Sequence, residues 1–294
     1  MRIGAFEVNE PLPELSELQA LATLRPWVDV GGVGNMVLNR LEQHLGTKSL
    51  GHIARPGNFF DFTRYRPTIY TQEGQRMVAV PNTLINYSQQ AEGNSFLFMH
   101  LLEPHNFGED YVDSVLSILE KLHVKRYCLL GAMYDMVPHT KPLRVTGSAT
   151  GAQSEQILRK FGVKSSTYQG PTTIMALIAQ EATKRQIETM SLVVHLPQYV
   201  PLDEDHAGEL CLLRLLCAFY GLSMDLSDIE QKANQQYMEI NRAVELNPQV
   251  KEMVSQLEKY YESIQQQERG EKGTKLSPEV EKFLKDISKR FGQN

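Results

Sequence analysis

From about Pro26 to Tyr220, short runs of β-branched and apolar residues alternate with longer stretches whose apolar positions recur every three to four residues. That alternation predicts a parallel sheet covered by helices. The runs PWVDV, SFLFMHLL, RYCLLGAM, SSTYQG and MSLVVHLP are predicted strands, because their near-continuous apolar character suits strands buried on both faces. NMVLNRLEQHL, DYVDSVLSILEKL, SEQILRKF and PTTIMALIAQEATKR are the predicted helices between them. From Arg55 to Asn86, Pro56, Pro67 and Pro81 interrupt alternating runs such as TIYTQ and RMVAV, which predicts edge strands of mixed direction. Asp203 to Tyr220 is apolar nearly all round, so a buried helix is expected there, ended by Gly221 in a left-handed cap.

Beyond Gly221 the pattern becomes purely helical. Ser227 and Glu230 have capping-box spacing, and Leu226, Ile229, Ala233, Tyr237, Ile240 and Val244 form one stripe. Asn247 and Pro248 restart the pattern as cap and first helical residue, followed by Val250, Met253, Leu257, Tyr260 and Ile264. Two antiparallel helices are therefore expected to form a hairpin. QQQERGEKGTK has no apolar residue to bury and reads as a flexible tether, after which Val280, Phe283, Leu284, Ile287 and Phe291 mark one more amphipathic helix. The organisation read this way is an α/β core over residues 1–225, a helical hairpin over 226–264, a tether over 265–276 and a C-terminal amphipathic helix over 277–294. The apolar stripes of the hairpin and last helix exceed what one short pair can bury, which predicts a homo-oligomer.

Charge narrows the partners. Over 294 residues the formal net charge is -5, and Lys and Arg are spread along the chain, so nucleic acid and anionic membrane lack an electrostatic driving force. The longest apolar stretch, Leu210 to Tyr220, contains Arg214 and is too short to span a bilayer. The N-terminal MRIGAFEVNEPLPEL meets Glu7, Glu10 and prolines too early for a secretory signal. Cys128, Cys211 and Cys217 lie in apolar stretches without metal or redox spacing, so buried thiols in a reducing cytoplasm are expected.

Candidate chemistry lies in loops that leave strand ends. The turn Gly31 to Asn35 would let an anion approach amides at a helix start, although it lacks the Lys-Ser/Thr of a phosphate-binding loop and the third glycine of a dinucleotide fingerprint. Gly147 to Gly151 and Gly170 to Thr173 read as similar turns, with Thr150 and Gln153 as a capping box and Pro171 at a helix start. In an open parallel sheet such loops share the C-terminal edge, where ligands bind. The same edge should carry Glu103, Asp135, His139 and His195. The candidate ligand-binding set is thus Gly31, Gly34, Asn35, Glu103, Asp135, His139, Thr140, Gly170, Thr172 and His195, with no catalytic residue, metal site or cofactor assigned. An enzyme would need the acids and imidazoles to converge in a pocket; a binding protein would hold them apart or in structural hydrogen bonds.

FFDF followed by Tyr65-Arg66-Pro67, then Glu103-Pro104, LGAMYDMVPHTKP, YQGPTTIMALI and VVHLPQYVP, in that order and spacing, resemble the bacterial and archaeal branch of the second-proteasome-assembly-chaperone family. The resemblance runs from about Pro26 to Tyr261, and the PHTKP loop and the Gly-Pro-plus-helix segment are its most specific parts. It implies a three-layer αβα core similar to the phosphorylase/hydrolase-like scaffold, C-terminal helices, homo-oligomers, and assembly chaperones that act through binding surfaces without catalysis. Relatives that dock on proteasome rings use a C-terminal hydrophobic-Tyr-any tail, whereas here Gln293 stands where that Tyr would be. The function expected is a non-enzymatic assembly-chaperone-like interaction protein. The alternative is a small-molecule, anion-binding protein or enzyme that uses the strand-end crevice.

Overall fold

The computed structural model describes residues 1–90, 93–268 and 282. In chain order the elements are β1 (Arg2–Ile3), β2 (Phe6–Val8), β3 (Gln19–Arg25), α1 (Val33–Leu45), β4 (Lys48–Ile53), β5 (Thr68–Gln72), β6 (Gln75–Ala79), β7 (Leu84–Ser88) and β8 (Phe96–Leu102). They continue with α2 (Gly108–Lys121), β9 (Arg126–Asp135), β10 (Arg144–Thr150), α3 (Ala152–Lys160), β11 (Lys164–Ser165), α4 (Ile174–Lys184), β12 (Glu188–Pro197), α5 (His206–Tyr220), α6 (Ser227–Glu245) and α7 (Pro248–Glu268). A large central sheet is flanked by helices, giving a three-layer α/β core followed by C-terminal helices. Among the described residues no helix is long and apolar enough to cross a membrane.

The chain divides into two compact units. The first comprises Met1–Asp29, Gly34–Gly131 and Thr146–Leu192, and the second comprises Val30–Val33, Ala132–Val145 and the chain from Val193 onward. The sheet runs in the order β1-β2-β4-β7-β8-β3-β9-β12-β10-β11. Its centre is parallel, with β3 between β8 and β9, and turns antiparallel through β7 and β4. β8 is buried at all seven positions, as its unbroken apolar run requires, and Leu97, Met99 and Leu101 join Val115, Leu119 and Ile178 in the core of the first unit.

Four strand or turn expectations are corrected. PWVDV is not a strand; the central strand is QALATLR, and Asp29 instead holds the start of α1. Gly147 to Thr150 is not a turn but part of β10, where a Cβ on Gly147 would lie 2.2 Å from the carbonyl oxygen of Ser191. SSTYQG contributes only the end of the two-residue β11. TIYTQ and RMVAV do not join the main sheet but pair with each other as a separate antiparallel ribbon, turned at Glu73 and Gly74, both with positive φ.

Helix limits also differ in detail. Asp205, not Asp203, starts α5 by accepting from the Gly208 N–H at 2.8 Å, and Gly221 ends it at φ 67 as expected. Pro171 stands before the helix, which begins at Ile174. Ser227 does not cap α6; the Asp225 carboxylate accepts its N–H. Asn247 does cap α7, and Val244, Met253, Val254 and Leu257 pack together between the two helices. α7 continues to Glu268, because Gln265 to Gln267 are good helix formers and the first glycine comes only at Gly270. The rest of the expected tether and the final amphipathic helix lie outside the described residues, apart from Lys282.

Candidate functional site

Carboxylates of the chain itself sit at the helix starts where an anion would bind. Asp29 accepts from the Asn35 N–H at 3.3 Å and its side-chain amide at 2.6 Å, and also from the Gly34 N–H. Burial pushes the Asp29 carboxyl up, and these hydrogen bonds oppose it. Gly34 is required because a Cβ there would meet the Thr23 hydroxyl oxygen at 2.6 Å. Glu103 treats α4 alike, with both carboxylate oxygens on the Ile174 N–H at 3.0 and 3.3 Å, and burial raises its pKa. Gly170 and Thr172 are exposed in the loop before that helix.

The expected Thr150–Gln153 box is replaced by a longer connection. Glu188 of β12 accepts from the N–H groups of Gln153 and Ser154 at the start of α3, at 3.1 and 3.2 Å. It also receives the buried Arg126 guanidinium at 3.0 Å, while Arg126 donates to Ser154 and Gln19. Burial raises the Glu188 carboxyl, but Ser154, Arg126 and Gln153 together hold it below its ordinary value.

The second unit contains Gly31, Asp135, His139, Thr140 and His195. Gly31, at φ 63, accepts the Asp205 N–H at 2.9 Å and so positions the cap of α5. His195 Nδ1 lies 2.7 Å from Asp135, whose other oxygen accepts the Met136 N–H at 2.7 Å. Burial raises the Asp135 carboxyl, yet the bonds from His195 and Met136 leave it lowered overall. Tyr199 accepts the His139 N–H at 2.8 Å, and the same hydroxyl lies 2.6 Å from His139 Nδ1. Burial lowers the His139 pKa, against opposing contributions from Asn241 and Glu258.

The PHTKP loop grips the helical hairpin. Thr140 bonds to Glu258, Lys141 to Glu262 at 2.7 Å, and the Tyr261 hydroxyl donates to the Pro142 carbonyl at 2.8 Å. The His139 ring lies tilted against that of Tyr237 with centroids 5.7 Å apart, and Met136 packs against the cluster around Leu257.

The structure therefore pairs Asp135 with His195 and His139 with Tyr199, and uses Glu103 as a helix cap. Among the described residues no group of three or more His, Cys, Asp or Glu comes together as a metal site. Burial pushes the Cys128 thiol up to about 12 and Cys211 up to about 11, far from nucleophilic thiolates. Sequence reasoning missed Asp29, Glu188 and Arg126 as cap builders, and also an open groove of about 560 Å³ lined by Phe60, Phe62, Arg64, His105 and Asn106 among others.

Residues 23–244 match the family model described as the PAC2 family. Among curated proteins none matches the chain. The fold is similar to that of a Mycobacterium tuberculosis protein of unknown function, at 22% identity and TM-score 0.78 with 92% of each chain covered. A Corynebacterium glutamicum protein of unknown function has TM-score 0.78 at 21% identity, covering 89% of this chain and 98% of that one. A Mycobacterium tuberculosis proteasome-assembly chaperone homologue has TM-score 0.71 at 23% identity, covering 80% and 98%. At these identities the likeness establishes the fold.

Proposed function

The chain belongs to the PAC2 family, and from that premise we propose that it is a non-enzymatic, assembly-chaperone-like interaction protein that works in the cytoplasm as a homo-oligomer. One observation carries this reading: the acids and imidazoles that chemistry would need are engaged in holding the chain together. Glu103 caps α4, His195 holds Asp135, and His139 shares both its N–H and its ring with Tyr199. General catalysis asks in addition for a base aimed at a reacting proton, beyond the group that orients it. Purified protein is expected to turn over none of a panel of phosphorylated, nucleoside and peptide substrates. Turnover that disappears in Asp135→Asn or His195→Ala would overturn the proposal.

Self-association is supported by the β5–β6 ribbon. All ten of its strand residues are exposed, with the pair Ile69 and Val78 on one face and Tyr70 and Met77 on the other. A lone two-stranded ribbon with apolar side chains on both faces is marginal in water, and such patches mark interfaces. We assign it to contact with a second copy. Light scattering at micromolar concentration should give a multiple of 33.4 kDa, falling to that mass when these four residues become serine or threonine. A monomeric parent protein would defeat the assignment.

A further inference from the structure

We propose that His139 is a pH-sensitive latch between the PHTKP loop and the α6–α7 hairpin: its neutral ring keeps the hairpin closed, and its protonation loosens it. The residue stands where the loop meets both helices. Beside it in the chain, Thr140 bonds to Glu258 and Lys141 to Glu262, both of α7. The His139 ring itself meets Tyr199, with centroids 5.9 Å apart, and Tyr237 of α6 at 5.7 Å. The closed hairpin covers Met136 and Tyr199 with the cluster of Val244, Met253, Val254 and Leu257, so opening it bares an apolar surface that the loop otherwise hides.

The two ring nitrogens are served unequally. Nδ1 lies 2.6 Å from the Tyr199 hydroxyl, whereas Nε2 is buried and has no hydrogen-bond partner among the described residues. A neutral imidazole can leave Nε2 as a bare acceptor, but an imidazolium carries an N–H and part of a positive charge there. A buried donor that is both unpaired and charged is the costlier of the two. The groups packed on the ring are Tyr199 after β12, Tyr237 and Asn241 of α6, and Glu258 of α7. Of these only Glu258 is a carboxylate, and it bonds to Thr140. Burial outweighs both Asn241 and Glu258, so the ring titrates below its ordinary 6.5. Since the closed state disfavours the protonated form, the open hairpin binds the proton more tightly. Closure is therefore complete above pH 6.5 and weakens as pH falls from there toward the lowered value, by at most about tenfold per pH unit in the ratio of open to closed.

The latch goes beyond the interaction role proposed above and holds whatever partner the chain meets. Hydrogen exchange of the full chain, read by mass spectrometry from about pH 7.5 to about pH 5 and corrected for the chemical exchange rate at each pH, tests it. Amides of α6 and α7 should lose about three- to tenfold in protection between roughly pH 6.5 and 5.5, while those of β8 stay constant. His139→Asn should flatten the response. His195 and His206 of the same unit remain in that variant, so a response that survives it belongs to them and overturns the proposal. Asn241→Asp keeps His139 and places a carboxylate beside its ring, which should raise the His139 pKa, read from its imidazole proton resonances, and abolish the loss of protection. Constant hairpin protection over this range in the parent protein, or an acid response unchanged in either variant, would overturn the proposal.

Discussion

Replacing Glu188 by alanine is expected to lower the unfolding free energy by about 2–4 kcal/mol, a drop of about 5–10 °C in the midpoint. Two costs combine. The Arg126 side chain, only 7% exposed, loses the carboxylate that compensates its charge, and the first N–H groups of α3 lose their acceptor. Because folding holds the Glu188 carboxyl below its ordinary value of 4.5, its contribution is complete above that pH and is lost as pH falls through the lowered value. Glu188→Gln keeps an acceptor for the helix but no charge for Arg126, so it should fall between alanine and the parent. A loss under about 1 kcal/mol for the alanine variant would mean that water reaches Arg126 and replaces the carboxylate.

Leu257→Ala is expected to release the helical hairpin before the rest of the chain unfolds. Leu257 is fully buried among Val244, Met253 and Val254, with Met136 and Tyr199 packed on the same cluster. Truncating such a leucine costs about 2–4 kcal/mol, and the remaining ties from the PHTKP loop are hydrogen bonds worth about 1 kcal/mol each. Brief protease treatment should then cut around Leu246 and Asn247, between α6 and α7, at least ten times faster than in the parent, by the mass-action cost of about 1.4 kcal/mol per decade. Unchanged cleavage there would show that the loop holds the hairpin without the apolar cluster.

The elements that were legible in sequence were those with a local signature. Gly221 ends α5 and Asn247 begins α7 because one residue suffices for each. The central strand QALATLR was passed over because Gln19 and Thr23 break its apolar run and a proline-rich segment precedes it, while the valines of PWVDV mimic strand propensity. In β10, Gly147 resembles a turn residue, yet its lack of a side chain serves the close approach of Ser191 in the neighbouring strand. Caps supplied from afar left no local trace: Glu188 lies 34 residues from Ser154, and Glu103 lies 71 from Ile174. The site was legible as a set of strand-end residues. Its pairing was not, since the bonds from Asp135 to His195 and from His139 to Tyr199 each span 60 residues.

That these polar pairs hold structure and perform no reaction is the core of the proposed function, and a double-mutant cycle on Asp135 and His195 tests it most directly. Groups kept for chemistry are usually held at some cost to stability, so removing them leaves a fold unchanged or firmer. A structural pair behaves oppositely. Asp135→Asn and His195→Gln should each lower the unfolding free energy by about 1–3 kcal/mol, and the double variant should lose less than the sum, giving a coupling of about 1 kcal/mol or more. Single variants as stable as the parent or more stable, with no coupling between them, would contradict a structural role for the pair.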